Sequence, residues 1–126
     1  MKLYSTNHQS PDVDLAEAVF RGLPPDNGLY MPTEFTPLPQ SFWDNVGNLS
    51  LQEIAFEVSN ALIGADVPVE DLRQLINSAI DFSAPIVEVE ANTYCLELFH
   101  GPSMAFKDFG ARFMAALMSY FLQKSQ

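Results

Sequence analysis

Three side chains that could take part in chemistry lie close together in the sequence: His100, Ser103 and Lys107. An apolar run ends at Phe99 and a helical pattern begins at about Ala105, with Gly-Pro turn residues between them. The sequence therefore predicts that Lys107 lies in the first turn of a helix that follows a strand. The positive end of a helix macrodipole disfavours an ammonium group and favours a neutral amine. Because a neutral amine can attack an aldehyde, this position predicts a lysine that forms a Schiff base.

Each of these residues also has a purely structural interpretation. Lys107 could be an ordinary exposed helix lysine, Ser103 a good N-cap for the helix, and His100 a partner of a backbone carbonyl. A Ser–His nucleophile pair lacks an identifiable third group to orient the histidine. We interpret Asp108 as an acidic residue that interacts with the helix dipole in the first turn, rather than as a base.

The composition limits the classes of function. Sixteen acidic residues oppose six basic ones, and the net charge of -10 argues against nucleic acid or an anionic membrane as a partner. The single cysteine, Cys95, excludes an internal disulfide and is predicted to be a small buried apolar residue. No Cys/His spacing of a zinc site occurs, so we expect no metal.

Met1–Thr6 lacks the apolar segment of a signal peptide, and the longest apolar run, Phe113–Leu122, is too short to span a bilayer. These features predict a cytoplasmic protein.

Capping residues and periodicity indicate the elements that must position the loop. Asp14 with Glu17, and Ser50 with Glu53, have the spacing of helix capping boxes. The Asp-Asn-Gly turn predicts a positive φ at Gly28. The sequence predicts strands at Lys2–Thr6, Ile86–Val89 and Thr93–Phe99, an extended piece at Leu29–Met31, and helices from Asp14 to Gly22, Ser50 to Gly64, Pro68 to Ile80 and Ala105 to Gln123.

The last strand and the last helix carry more apolar surface than this chain can cover. Thr93–Phe99 is apolar on both faces, which is typical of a covered sheet, and the helix that follows has a broad apolar face. Ligands of open α/β sheets bind beyond the carboxyl ends of strands, where the loop from His100 to Lys107 lies. Such a sheet needs more parallel strands than this chain supplies. We therefore infer an N-terminal piece of a larger α/β protein, which by itself is α+β.

Several segments, in order along the chain, resemble one known family. Leu96–Phe109 is similar to the cofactor-lysine motif of threonine synthase, Met1–Thr6 to the opening strand of that family, and Glu17–Leu23 with Asp26–Pro32 to its first helix and turn. The family usually has Thr, Leu and Gly at three positions where this sequence has Ser103, Met104 and Asn27. Serine retains the hydroxyl, and asparagine tolerates a left-handed backbone.

The resemblance implies a pyridoxal-phosphate enzyme of the tryptophan-synthase-β-like fold, fold type II. It implies that Lys107 holds pyridoxal phosphate as a Schiff base and then moves protons while the cofactor accepts electrons. It further implies a lyase of threonine biosynthesis, which converts the small molecule O-phospho-L-homoserine and water to L-threonine and phosphate. Ser103 and His100, in the same loop, are candidates for contacting cofactor or substrate.

The resemblance also divides the chain. Residues 1–84 correspond to a largely helical N-terminal domain with a short N-terminal strand, and residues 85–126 to the start of the cofactor-binding α/β domain. The chain ends before the glycine-rich phosphate loop of the family is expected. We therefore expect it to bind pyridoxal phosphate weakly, if at all, and not to catalyse without the missing C-terminal part. Two alternatives stay open: a related phospholyase for another phosphorylated amino acid, and a non-catalytic folding or interaction domain that binds a partner or a second copy through the last helix.

Overall fold

A computed structural model describes residues 1–125, and Gln126, the last residue of the predicted second segment, lies outside them. No helix in the described range is both long and apolar enough to cross a membrane. The mixture of helices and small sheets confirms the predicted fold class, whereas the division of the chain after residue 84 stays a prediction. The elements are the strands β1 (Lys2–Ser5), β2 (Val13–Asp14), β3 (Tyr30–Pro32), β4 (Ile86–Glu90) and β5 (Thr93–Leu96), the helices α1 (Leu15–Arg21), α2 (Gln40–Asn45), α3 (Leu51–Ile63), α4 (Val69–Ala79) and α5 (Lys107–Lys124), and a 3-10 turn at Val46–Asn48.

The N-terminal strand β1 is the centre of a three-stranded antiparallel sheet in the order β2–β1–β3. The turn before β3 differs from the prediction, because Asn27 has the positive φ, 61°, and Gly28 does not. Gly28 is required for a different reason. A Cβ at this position would lie 2.2 Å from the hydroxyl oxygen of Ser5, so glycine allows the turn to approach β1 closely.

The starts of α1 and α3 follow the local sequence. Asp14 accepts a hydrogen bond from the Glu17 amide at 2.8 Å, and Ser50 and Glu53 form the predicted reciprocal capping box. These side chains satisfy amide groups that have no partner inside the helix. The sequence did not predict α2, because its N-cap is a proline without a side-chain hydrogen bond and the surrounding prolines favour extended backbone.

The helices α1, α3, α4 and α5 share one hydrophobic core. Leu72 and Ile76 of α4 and Val67 before it are almost entirely buried, and Leu117 of α5 packs into the same cluster. Burial of such an aliphatic side chain contributes about 2 kcal/mol. Because α5 lies against α4 and α1, the helix that begins with Lys107 is anchored to the N-terminal helices.

The strands β4 and β5 form an antiparallel hairpin whose residues are all exposed. This corrects two predictions: the second strand ends at Leu96 rather than Phe99, and Cys95 is exposed instead of buried. An apolar pattern on both faces suggested a covered strand, but no element within residues 1–125 covers it. The exposed apolar surface continues from the hairpin into the next loop and comprises Ile86, Val87, Val89, Tyr94, Leu96, Phe99, Met104 and Phe106.

Candidate active site

The loop between β5 and α5 ends in a tight turn. The Met104 amide donates a hydrogen bond to the Gly101 carbonyl at 3.0 Å, and Met104 has a left-handed φ of 55°. The helix α5 begins at Lys107 with Phe106 as its N-cap, and among the described residues no side chain caps it. Ser103 is therefore not the N-cap that the sequence suggested. The prediction that Lys107 lies in the first turn of a helix that follows a strand is confirmed.

Lys107 is exposed beside a shallow groove along α5. The groove has a volume of about 450 Å³ and is lined by Lys107, Phe106, Gly110, Ala111 and Met114. Phe106 and Met114 are 69% and 44% exposed, and a Cβ added to Gly110 would meet no atom within 4 Å. The side of α5 that carries the lysine is therefore open to a small molecule.

His100 is paired with a carboxylate of its own loop. Its Nε2 lies 2.6 Å from Oε2 of Glu97, and its ring stacks on Phe99 with the ring centroids 4.8 Å apart. The partner is thus a side chain rather than the backbone carbonyl that the sequence suggested. Within residues 1–125, no hydrogen bond joins His100 to Lys107.

Asp108 is a buried polar residue of the site, with 7% of its surface exposed. Its carboxylate accepts hydrogen bonds from the Ser103 amide at 2.8 Å and from the Ser103 hydroxyl at 2.6 Å. The Ser103 hydroxyl, and to a lesser extent its amide and the positive charge of Arg112, holds the pKa of Asp108 below its ordinary value. The position of Asp108 in the first turn agrees with the predicted interaction between its carboxylate and the helix dipole. The sequence did not predict the hydrogen bonds to Ser103.

Arg112 fixes α5 on the preceding helix. Its guanidinium donates to the Ala79 carbonyl at 2.9 Å and to the Ser78 carbonyl at 2.8 Å, and it pairs with Asp81 at 2.7 Å. The two carbonyls lie at the C-terminal end of α4, where the helix dipole favours a positive charge. Sequence spacing did not point to Arg112, because these partners are 33 and 34 residues away.

The arrangement can present a primary amine to a small carbonyl compound. Ser103 lies in the turn just before Lys107, but its only hydroxyl hydrogen is directed to Asp108, so its oxygen can only accept a further hydrogen bond. His100 belongs to a separate pair with Glu97. The roles of Lys107, Ser103 and His100 toward a cofactor or substrate stay predictions.

The chain is a mixed α/β protein in which a strand and a tight turn are followed by a helix. An exposed lysine is the first residue of that helix. The family model described as "Threonine synthase N terminus" matches residues 2–80, which is more than half of the chain. The chain therefore belongs to the threonine synthase family, and the predicted family is confirmed.

Threonine synthases from several organisms are similar to this chain. The enzyme of Escherichia coli (strain K12) is 38% identical over 120 residues, which cover 95% of this chain and 28% of that protein. Its crystal structure matches with a TM-score of 0.88 at the same identity and coverage. The X-ray structure of PLP-bound threonine synthase from Brucella melitensis matches with a TM-score of 0.90 at 32% identity, over 99% of this chain and 28% of that one. The chain spans 28% of the length of each of these relatives.

Proposed function

We propose that this chain is the N-terminal part of a threonine synthase, a pyridoxal-phosphate-dependent lyase that converts O-phospho-L-homoserine and water to L-threonine and phosphate. The observation that supports this most strongly is the exposed Lys107 at the first position of α5, in a chain of the threonine synthase family. The similarity to the PLP-bound enzyme of Brucella melitensis supports the choice of cofactor. In this proposal the enzyme acts in the cytoplasm, in threonine biosynthesis.

The residues of this chain fit the aldehyde end of pyridoxal phosphate. Lys107 offers a primary amine beside an apolar groove, a surface that suits a planar ring. When bound, the cofactor supplies an aldehyde for condensation with an amine and a ring that accepts an electron pair. Its phosphate requires a cradle of backbone amides, and this sequence contains no glycine-rich loop of that kind.

We assign three roles to the residues of the loop and the helix start. Lys107 holds the cofactor through Nζ and moves protons at that atom during the reaction. Ser103 presents lone pairs of its hydroxyl oxygen, because the hydrogen is donated to Asp108, so it fits a hydrogen-bond donor better than a phosphate. His100, with Glu97 behind it, is a candidate for contact with the substrate at the edge of the loop.

The partner in this proposal is the C-terminal part of the same enzyme. It supplies the amide cradle for the cofactor phosphate and the groups that hold the pyridine ring. It also covers the exposed hairpin of β4 and β5, whose apolar side chains otherwise face water. The isolated chain therefore binds pyridoxal phosphate weakly and does not release phosphate from the substrate.

A chimeric enzyme tests the proposal. Residues 1–126 replace the matching N-terminal region of Escherichia coli threonine synthase, and the chimera is produced in bacteria that lack the enzyme. We expect growth without threonine, phosphate release, and, after borohydride reduction, a pyridoxyl label on Lys107. The variant Lys107→Ala loses all three, whereas Lys124→Ala, at the opposite end of α5, retains them. An active Lys107→Ala chimera, or a label on another lysine, would overturn the assignment.

Two other functions give different results. A related phospholyase releases phosphate from another phosphorylated amino acid faster than from O-phospho-L-homoserine, which a substrate panel on the full-length enzyme measures. The second alternative is a non-catalytic domain that binds a partner through the apolar face of the last helix. Most of that face packs instead against the core, with Leu117 buried and Phe113 and Tyr120 partly buried. The exposed apolar surface that this alternative can use is therefore the hairpin of β4 and β5. Such a domain self-associates or binds a partner in size-exclusion chromatography without regard to the C-terminal fragment of threonine synthase.

A further inference from the structure

A buried aspartate lies directly beside the site lysine and has no role in the proposed chemistry. Asp108 is only 7% exposed, and its two carboxylate oxygens accept both hydrogen-bond donors of Ser103. We call these two hydrogen bonds the Asp108–Ser103 clasp. They connect the second residue of α5 to the turn that precedes the helix. Lys107 lies between the two bonded residues in the sequence.

The turn leaves no free space around this carboxylate. A Cβ added to Gly101 would lie 2.5 Å from Oδ2 and 2.7 Å from Cβ of Asp108, and Gly101 itself is buried. Met104, in the same turn, has a φ of 55°, which is uncommon for a residue with a side chain. Such a conformation persists when the surrounding contacts determine it. The clasp and the close approach of Gly101 are contacts of this kind.

The clasp and the lysine lie on different sides of α5. Arg112 follows Asp108 by four residues, so the two side chains share a face, and Arg112 binds the C-terminal end of α4. Lys107 is rotated from Asp108 by about 100° around the helix axis. One side of α5 therefore attaches the helix to the turn and to α4, while another side carries the exposed amine.

We propose that Asp108 is a positioning residue for Lys107. Within residues 1–125 no side chain caps the start of the helix, and uncapped helix ends fray. The clasp replaces the cap, because it holds the loop turn at Gly101–Met104 against the first helical turn of α5. It therefore determines the position of the Lys107 backbone, from which the side chain extends. This inference rests on the proposed role of Lys107 and adds that Asp108 acts through Ser103 and the turn, without touching cofactor or substrate.

Three variants weaken the clasp without a change in net charge. Asp108→Glu and Gly101→Ala displace the carboxylate from Ser103, and Ser103→Ala removes the hydroxyl bond but keeps the amide bond. Glutamate keeps a negative charge near the helix start but is too long for the space beneath Gly101. If Asp108 acted only through its charge and the helix dipole, Asp108→Glu would preserve that effect. A change in this variant therefore indicates the clasp. Asp12→Glu, at an exposed loop position, is the matched control.

Two measurements on the 126-residue chain test the proposal. Hydrogen exchange of the Ser103 amide reports whether the clasp is closed. Reductive methylation with formaldehyde and cyanoborohydride, which reduces the imine to the methylamine, gives the rate at Lys107 relative to Lys124 in the same molecule when the peptides are analysed by mass spectrometry. The probe here is formaldehyde rather than pyridoxal phosphate, so the result does not depend on cofactor binding. Cofactor binding is tested separately by the chimera.

In the clasp variants we expect faster exchange of the Ser103 amide in Asp108→Glu and Gly101→Ala, and a change of about twofold or more in the Lys107-to-Lys124 ratio in all three. The ratio changes because fraying of the helix start releases the backbone of Lys107 from the position that the turn and the clasp give it. Asp12→Glu leaves both measurements unchanged. If circular dichroism finds Asp108→Glu unfolded, Ser103→Ala, which removes one of the two hydrogen bonds, decides the outcome. An unchanged ratio in the folded variants, or a Ser103 amide that exchanges freely in the parent chain, would overturn the proposal.

Discussion

Replacement of Arg112 by alanine measures how strongly the lysine-bearing helix is attached to the rest of the chain. The variant loses two hydrogen bonds from a charged donor to the carbonyls of Ala79 and Ser78. It also loses an ion pair with Asp81, whose side chain is 56% exposed. Because the Arg112 side chain is itself 31% exposed, we take about 1 kcal/mol for each hydrogen bond, and less than about 0.5 kcal/mol for the screened ion pair. The free energy of unfolding is expected to fall by about 2 kcal/mol.

Urea unfolding followed by far-ultraviolet circular dichroism gives this quantity directly. Arg21→Ala is the matched control, since Arg21 forms a surface ion pair with Glu17 one helical turn away, with both side chains at least 40% exposed. Such a pair contributes about 0.5 kcal/mol or less. Arg112→Lys keeps the charge and can reach one carbonyl, so its stability lies between those of the parent chain and Arg112→Ala. Equal losses in Arg112→Ala and Arg21→Ala would refute the reasoning.

Two further predictions concern the core and the N-terminal turn. Leu72→Ala, at a fully buried position of α4, should lower the free energy of unfolding by about 3 kcal/mol, whereas Val69→Ala, at a 47% exposed position of the same helix, should change it by less than about 0.5 kcal/mol in the same urea titration. Asp26 accepts a hydrogen bond from Ser5, which, with further bonds from the surrounding turn, lowers the pKa of Asp26 to about 2. Since the folded state then binds the proton less readily than the unfolded chain, this contribution is present above the ordinary value of 3.8 and is lost as the pH falls toward about 2. Thermal melting across this range should be less dependent on pH in Asp26→Asn, and an unchanged dependence would contradict the assignment.

Features set by neighbouring residues could be predicted from the sequence. The caps at Asp14 and Ser50 join residues three positions apart, and both helices start where the sequence indicates. Ser50 and Glu53 form both bonds of the predicted capping box, whereas Asp14 accepts a bond from the Glu17 amide and the Glu17 side chain pairs with Arg21. The position of Lys107 at the start of α5 follows from the same kind of local signal, namely turn residues followed by helical periodicity. In the turn before β3, the pattern was correct but the residue with the positive φ was Asn27, since asparagine also tolerates that conformation.

Features set by distant contacts could not be predicted in this way. Cys95 has the sequence environment of a buried strand residue, yet it is exposed, because burial depends on which element lies across the strand. The partners of Arg112 lie on another helix, and no periodicity within α5 identifies them. The clasp between Asp108 and Ser103 is closer in sequence, but it depends on a left-handed Met104, which is unfavourable on local grounds alone.

The hairpin of β4 and β5 has a consequence for the behaviour of the isolated polypeptide at high concentration. A two-stranded sheet leaves the backbone amides and carbonyls of both outer edges without strand partners, and such edges can pair with another molecule and begin aggregation. Here the apolar positions of β4 alternate with Glu88 and Glu90, so that two molecules which approach edge to edge bring like charges together. Replacement of both glutamates by glutamine therefore removes the repulsion that keeps neighbouring molecules apart and promotes their precipitation.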